Sequence, residues 1–82
     1  MYSLIYSELA AKQLKKLNKE TQLRILNTLE RCRIRPLAYV KRLVGCAYYR
    51  LRVGDYRVIM DIKEDTLIIF VFELGHRKNI YK

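Results

Sequence analysis

Residues 48–60 alternate apolar and polar side chains on either side of a Gly54-Asp55 pair: Tyr-Tyr-Arg-Leu-Arg-Val, Gly-Asp, Tyr-Arg-Val-Ile-Met. Period-two alternation marks a half-buried strand, and glycine at the first of two central loop positions predicts a type II′ hairpin. Upstream the period changes. Met1 to Tyr6 reads as a short strand-like lead, and Ser7 as the N-cap of a helix with Glu8 in its first turn. That helix is expected to run to about Leu17, with Ala10, Leu14 and Leu17 on one face and Lys12, Lys15, Lys16 and Lys19 on the other. Asn18 ends it and caps a second helix. The stripe of this helix is Leu23, Ile25, Leu26, Leu29 and Cys32, until Pro36 forbids continuation. So short a link makes the two an antiparallel hairpin.

Residues 37–46 read as a connection too short for another element. Beyond the Gly54 hairpin, Lys63-Glu64-Asp65 is a second turn, and Thr66 to Glu73 is apolar on both faces, the pattern of a central strand. These readings give one domain over residues 1–82 of class α+β, in the order β-α-α-β-β-β. The helical hairpin packs on one face of a small antiparallel sheet, and the other face is partly open.

The hairpin also carries the chemistry. Its loop fixes the register so that Val53 faces Tyr56 and Arg52 faces Arg57, and alternation puts Arg50, Arg52 and Arg57 on one face of the ribbon. Opposed guanidiniums repel, a cost a sheet carries when something compensates. The expected compensation is an anion, either a phosphate chain or an acidic partner.

Composition agrees without deciding between them. Seventeen Lys and Arg against eight Asp and Glu give a net charge of +9, the electrostatic footprint of a nucleic-acid binder and equally of a basic solvated surface. A chain of 82 residues has no room for a deep enclosed active site, so any chemistry sits on an open face. The apolar residues form neither a membrane-length run nor a signal-peptide pattern, which points to a cytoplasmic protein. Cys32 and Cys46 lack a CxxC spacing and His76 is the only histidine. A protein-built metal site and a cofactor are therefore not expected, and both thiols read as reduced packing residues.

Three segments together resemble the RelE/ParE toxin superfamily: Lys41-Arg42-Leu43-Val44-Gly45, the hairpin from Tyr49 to Val58, and the closing Gly75-His76-Arg77-Lys78-Asn79-Ile80-Tyr81. The likeness covers essentially the whole chain and is greatest to the RelE branch, whose members cleave messenger RNA in the ribosomal decoding site and are neutralised by a cognate antitoxin. Carried over by position, the resemblance implies that Arg50 and Arg52, Arg57 after the turn, and Arg77 after the closing glycine bind the scissile and neighbouring phosphates. Tyr81 is implied to lie against a base. Lys41, Arg42 and Lys78, in the matching segments, are further candidates for RNA contact, and the helix lysines for a ribosome-facing surface.

RNA cleavage without a metal needs a deprotonated 2′-OH, in-line attack on phosphorus, stabilisation of phosphoryl charge and protonation of the leaving 5′-oxygen. Arginines suit the third task, because their planar forks donate bidentate bonds and keep their charge. They are poor proton shuttles. Relatives with lysines at the Arg50 and Arg52 positions differ here, which leaves His76, Tyr81 and then Glu73 as candidates for proton transfer. Two other readings share the fold class: a ParE-like inhibitor of DNA gyrase without nuclease activity, and a plain RNA-binding module.

Overall fold

The computed structural model describes residues 1–45 and 47–80. Strand β1 (Ser3–Tyr6) leads into helices α1 (Glu8–Lys15) and α2 (Lys19–Cys32), a 3-10 turn at Pro36–Ala38, strands β2 (Val40–Arg42), β3 (Tyr49–Val53), β4 (Tyr56–Lys63) and β5 (Ile68–His76), and a last turn of helix, α3 (Arg77–Ile80). The caps read from sequence are in place. Ser7 Oγ accepts the Ala10 N–H at 3.0 Å and Asn18 Oδ1 accepts the Thr21 N–H at 2.8 Å, each satisfying a donor that the first helical turn leaves without an intrahelical partner.

The five strands form one mixed sheet in the order β1-β5-β4-β3-β2. Two features differ from the expected antiparallel sheet. β1 joins parallel to β5, with Leu4 opposite Ile69 and Tyr6 opposite Val71, because the helical hairpin carries the chain across to the far edge at β2 and three antiparallel reversals bring β5 back beside β1 in its own direction. Residues 40–42, expected to be connection, pair with β3 as an edge strand. So short a basic segment carries no alternation to read. α1 also stops at Lys15 rather than about Leu17, and α2 at Cys32, before Pro36. β5 starts at Ile68 and runs to His76. Its late start follows a turn that holds Leu67 at φ 56°.

Both helices cover the same face. Ala10, Ile25, Leu29 and Cys32 meet Leu51, Val53, Val58, Met60, Ile62, Ile69, Val71 and Leu74 in a single core. Ile25, Leu29 and Cys32 stand at i, i+4, i+7 and are fully buried, whereas Leu23, two residues before Ile25 and about 200° round the helix, is 52% exposed. Burial pushes the Cys32 thiol up to about 11, which keeps it protonated and unreactive at neutral pH. Cys46 lies outside the described residues.

One irregularity sets which way the end of β5 faces. Met60 pairs with Val71 and Ile59 with Glu73, so Phe72 is an extra residue, a β-bulge. Ile69 and Val71 point into the core before it, and Leu74 does so after it. The Leu74 N–H is taken by Gln13 Oε1 of α1 at 2.8 Å. Removing that acceptor leaves a buried amide without its partner, which costs about 1–3 kcal/mol. Gln13→Ala is therefore expected to lower unfolding free energy by that amount in urea titration, with an unchanged m-value. A loss under about 0.5 kcal/mol would mean that the bulge does not need this bond.

Candidate nucleic-acid interface

The Gly54-Asp55 loop turns as its sequence predicts. Gly54 has φ +60° while Asp55 is not among the residues of positive φ, the signature of a type II′ turn. Its register opposes Val53 to Tyr56 and Arg52 to Arg57. Leu51, Val53, Val58 and Met60 are buried under the helices. Alternation therefore sends Arg50, Arg52 and Arg57 to the face the helices leave open.

The edge strand adds a fourth cation to this row. Lys41 stands opposite Arg50, and Tyr39, Lys41, Arg50, Arg52 and Arg57 line a shallow cavity of about 120 Å³. Two like-charge cross-strand pairs, Lys41–Arg50 and Arg52–Arg57, thus lie side by side. Arg57 is the deepest of the four at 8% exposed, and its Nη1 donates to the Tyr56 carbonyl at 3.3 Å. Desolvation holds its guanidinium below the ordinary arginine range; Arg52, Arg50 and Arg77 push the same way, and Asp55 opposes them. Arg77 therefore acts on the same cluster. Its position is fixed by its backbone N–H, which bonds to the Asp55 carbonyl at 2.9 Å. Gly75, directly across from Arg57, places no side chain against the guanidinium.

Other candidates stand elsewhere. His76 pairs with Tyr56 and so follows the helix-side parity, with its ring edge-on to Tyr56 at 5.6 Å between centroids. Its Nδ1 accepts the Lys78 N–H at 3.3 Å. It lines a different cavity, beside Gln13, Lys16 and Leu17. Arg42 pairs with Tyr49, and alternation turns it away from the Lys41 row. Lys78 is exposed on α3. Glu73, opposite Ile59 beside the bulge, lines the same cavity as His76 and not the cationic one. Tyr81 lies outside the described residues.

Two things were not foreseen from sequence. Tyr39, in the turn before β2, enters the cationic cavity with no motif to announce it. The open face is also apolar on its β1–β5 side, where Phe72 packs on Phe70 at 4.7 Å and on Tyr48 at 4.6 Å between centroids and Ile5 is 43% exposed. Cationic and apolar halves lie on one surface. Among the described residues no group of His, Cys, Asp and Glu is arranged to hold a metal ion, and no helix is long and apolar enough to cross a membrane.

Known proteins share this architecture. Residues 4–81 match the family described as ParE toxin of type II toxin-antitoxin system, parDE. The chain resembles the archaeal RelE–RelB complex from Pyrococcus horikoshii, with TM-score 0.82, 27% identity, and coverage of 95% of this chain and 97% of that one. It also resembles the RelB–RelE antitoxin–toxin complex from Methanococcus jannaschii, with TM-score 0.75, 30% identity and 95% coverage of both chains. A YoeB/ParE toxin from Agrobacterium tumefaciens has the same fold at 13% identity, with TM-score 0.79 over 93% of this chain and 98% of that one. No curated protein matches the chain. With the family match spanning nearly its whole length and the fold agreeing throughout, this protein belongs to the RelE/ParE superfamily of type II toxin–antitoxin toxins.

Proposed function

We propose that this toxin is a ribosome-dependent endoribonuclease that cleaves messenger RNA in the decoding site, acts in the cytoplasm and is held inactive by a cognate antitoxin. The observation that carries the reading is the convergence of Lys41, Arg50, Arg52 and Arg57 on one open cavity, with Arg77 acting on Arg57. Charge gathered at that density, without a carboxylate among the described residues of the lining, suits a phosphodiester. Guanidiniums placed before the reaction stabilise charge as it develops on the phosphoryl oxygens without reorganising. Arg57, the most buried of the four, is the natural contact for the scissile phosphate, and Arg50 and Arg52 for those beside it. No step of this chemistry calls for a cofactor.

Proton transfer is the weaker half of the site. His76 lies on the other side of the sheet, so in this reading it positions α3 through its bond to the Lys78 N–H. Glu73, which lines the cavity beside His76, and Tyr81 complete the set of candidates. With His76 turned away from the arginines, efficient cleavage in this reading depends on the ribosome to align the 2′-OH. The antitoxin reading rests on the same face. An amphipathic segment bearing acidic residues would satisfy its cationic half and cover Phe70, Phe72 and Tyr48 with its apolar side. The RelE neighbours are complexes with RelB antitoxins, which supports a partner of that kind.

A second reading has one observation of its own, the ParE name of the matching family. In it the chain inhibits DNA gyrase by protein contact and cleaves nothing. Translation in a cell-free extract with mapping of RNA ends separates the two: new translation-dependent 5′ ends within the coding region support the nuclease, and intact messenger RNA with trapped gyrase supports the inhibitor.

Two variants test the chemistry. Arg57→Ala is expected to keep folding stability within about 1 kcal/mol, since it lifts repulsion from Arg52, while cutting cleavage on ribosomes about 10²–10³-fold. Lysine at that position restores charge without the fork and recovers only part of the rate. A folded Arg57→Ala protein with wild-type cleavage would remove the centre of this mechanism.

For His76 the expected result is a small effect. A general base is worth about 10²–10⁴-fold, so His76→Gln should lose far less and leave the rate flat between about pH 6 and 8. An imidazole base would instead give a rate that rises with pH as the ring loses its proton, a limb abolished in the variant, and finding that limb would return His76 to the reaction.

A further inference from the structure

A larger cavity of about 420 Å³ opens on the other side of the Gly54 turn, against α2, and Arg52 lines both it and the cationic cavity. Its α2 wall is Arg24, Asn27, Thr28 and Arg31. These stand at i, i+3, i+4 and i+7, one continuous stripe, clear of the helix face that buries Ile25, Leu29 and Cys32. Arg24 reaches across to the turn: a Cβ at Gly54 would lie 3.4 Å from its Nη2. Three guanidiniums and two hydrogen-bonding side chains thus face one opening, with no carboxylate among the described residues that line it. Glu20 stands one turn before Arg24 on α2; two other acids are engaged elsewhere. Glu30 holds Arg33 at 2.9 Å, and Asp55 acts on Arg57.

We propose that the α2 stripe of Arg24, Asn27, Thr28 and Arg31, with Arg52 and the Gly54 turn, is a second anion site that binds the RNA phosphodiester backbone adjoining the reacting phosphate. The proposal rests on the nuclease reading and extends its site. Arg24 and Arg31 are about 10 Å apart along the helix, too far for one phosphate and suited to two in succession. Arg52, shared by both cavities, makes the path continuous. Exposed arginines on a helix surface add little to stability by themselves, so grouping them against the turn gains something only when an anion sits between.

The test uses the full-length toxin and RNA blocked by a 2′-deoxy substitution at the scissile nucleotide, so that binding is read apart from cleavage. For Arg24→Gln/Arg31→Gln, affinity for an RNA long enough to pass the turn should fall about tenfold or more. The slope of log affinity against log salt should shrink by about 1.4, at 0.7 per single-strand phosphate contact. A trinucleotide confined to the Arg57 cavity should bind as before. Arg35→Gln/Lys63→Gln removes equal charge from exposed positions elsewhere and should leave the oligonucleotide slope alone, while Arg24→Lys/Arg31→Lys should restore it. A loss seen only on programmed ribosomes assigns the backbone to ribosomal RNA; a loss on the isolated oligonucleotide assigns it to the messenger. Unchanged affinity and slope in both, or an equal loss in the Arg35/Lys63 variant, would overturn the site. RNA-end mapping with the wild-type toxin is read separately, so absence of cleavage would sink the nuclease reading while the binding result still judged the stripe.

Discussion

The extra residue at Phe72 in β5 is the constraint on which the two faces of this sheet depend. Alternation carried on from Ile69 and Val71 would bury Glu73 and Gly75 under the helices and leave Leu74 and His76 on the open side. The bulge reverses this. Leu74 enters the core, where full burial of such a side chain is worth about 1.5–3 kcal/mol, and a carboxylate is kept out of it. Gln13 makes the reversal tolerable by accepting the Leu74 N–H. The same shift puts Gly75 across from Arg57 and directs His76 toward Tyr56. One inserted residue decides which side chains can meet the arginines.

On the open face the sheet carries an electrostatic load in return for a binding surface. Lys41–Arg50 and Arg52–Arg57 are each unfavourable pairs by up to about 1 kcal/mol. They occur on the three strands farthest from β1, one of them an edge strand three residues long. The backs of those strands hold Val40, Leu51, Val53, Val58 and Met60 against the helices, and this burial offsets the repulsion in front. The apolar half of the open face lies over β5 and β1, away from the cations. A ligand that covers the whole face must therefore be amphipathic, whereas one that touches the cationic side alone need only be an anion.

What was legible in the sequence follows from where local signals were strong. The hairpin register was readable because a glycine of positive φ and strict alternation agree, and Arg50, Arg52 and Arg57 fell on one face as a consequence. Ser7 and Asn18 announced both helices through their caps. β2 was not readable: Val40, Lys41 and Arg42 are ordered by pairing with β3, a contact distant in sequence, and so Lys41 found its place opposite Arg50 only in three dimensions. The parallel return of β1 was equally silent, since a four-residue strand does not encode its partner. His76 illustrates a different limit. Its neighbours in sequence, Gly75 and Arg77, belong to the cationic side, and only the bulge separates it from them.

Superfamily membership does not choose among activities, because one scaffold can serve nuclease and protein-binding toxins alike and function lies in the side chains set on it. Here the choice turns on how charge is distributed. A surface meant for protein contact gains from apolar anchors with charge at the rim, and this chain does have such a patch at Ile5, Phe70, Phe72 and Tyr48. Its cations are arranged otherwise. They are concentrated in opposed pairs, with Arg57 sunk to 8% exposure beside Arg52, Arg50 and Arg77. A gyrase contact made through apolar surface would draw no benefit from that arrangement, whereas a phosphodiester would. The physical case for the proposed RNA substrate therefore rests on like charge gathered on one open face, apart from the apolar patch that a protein partner would use.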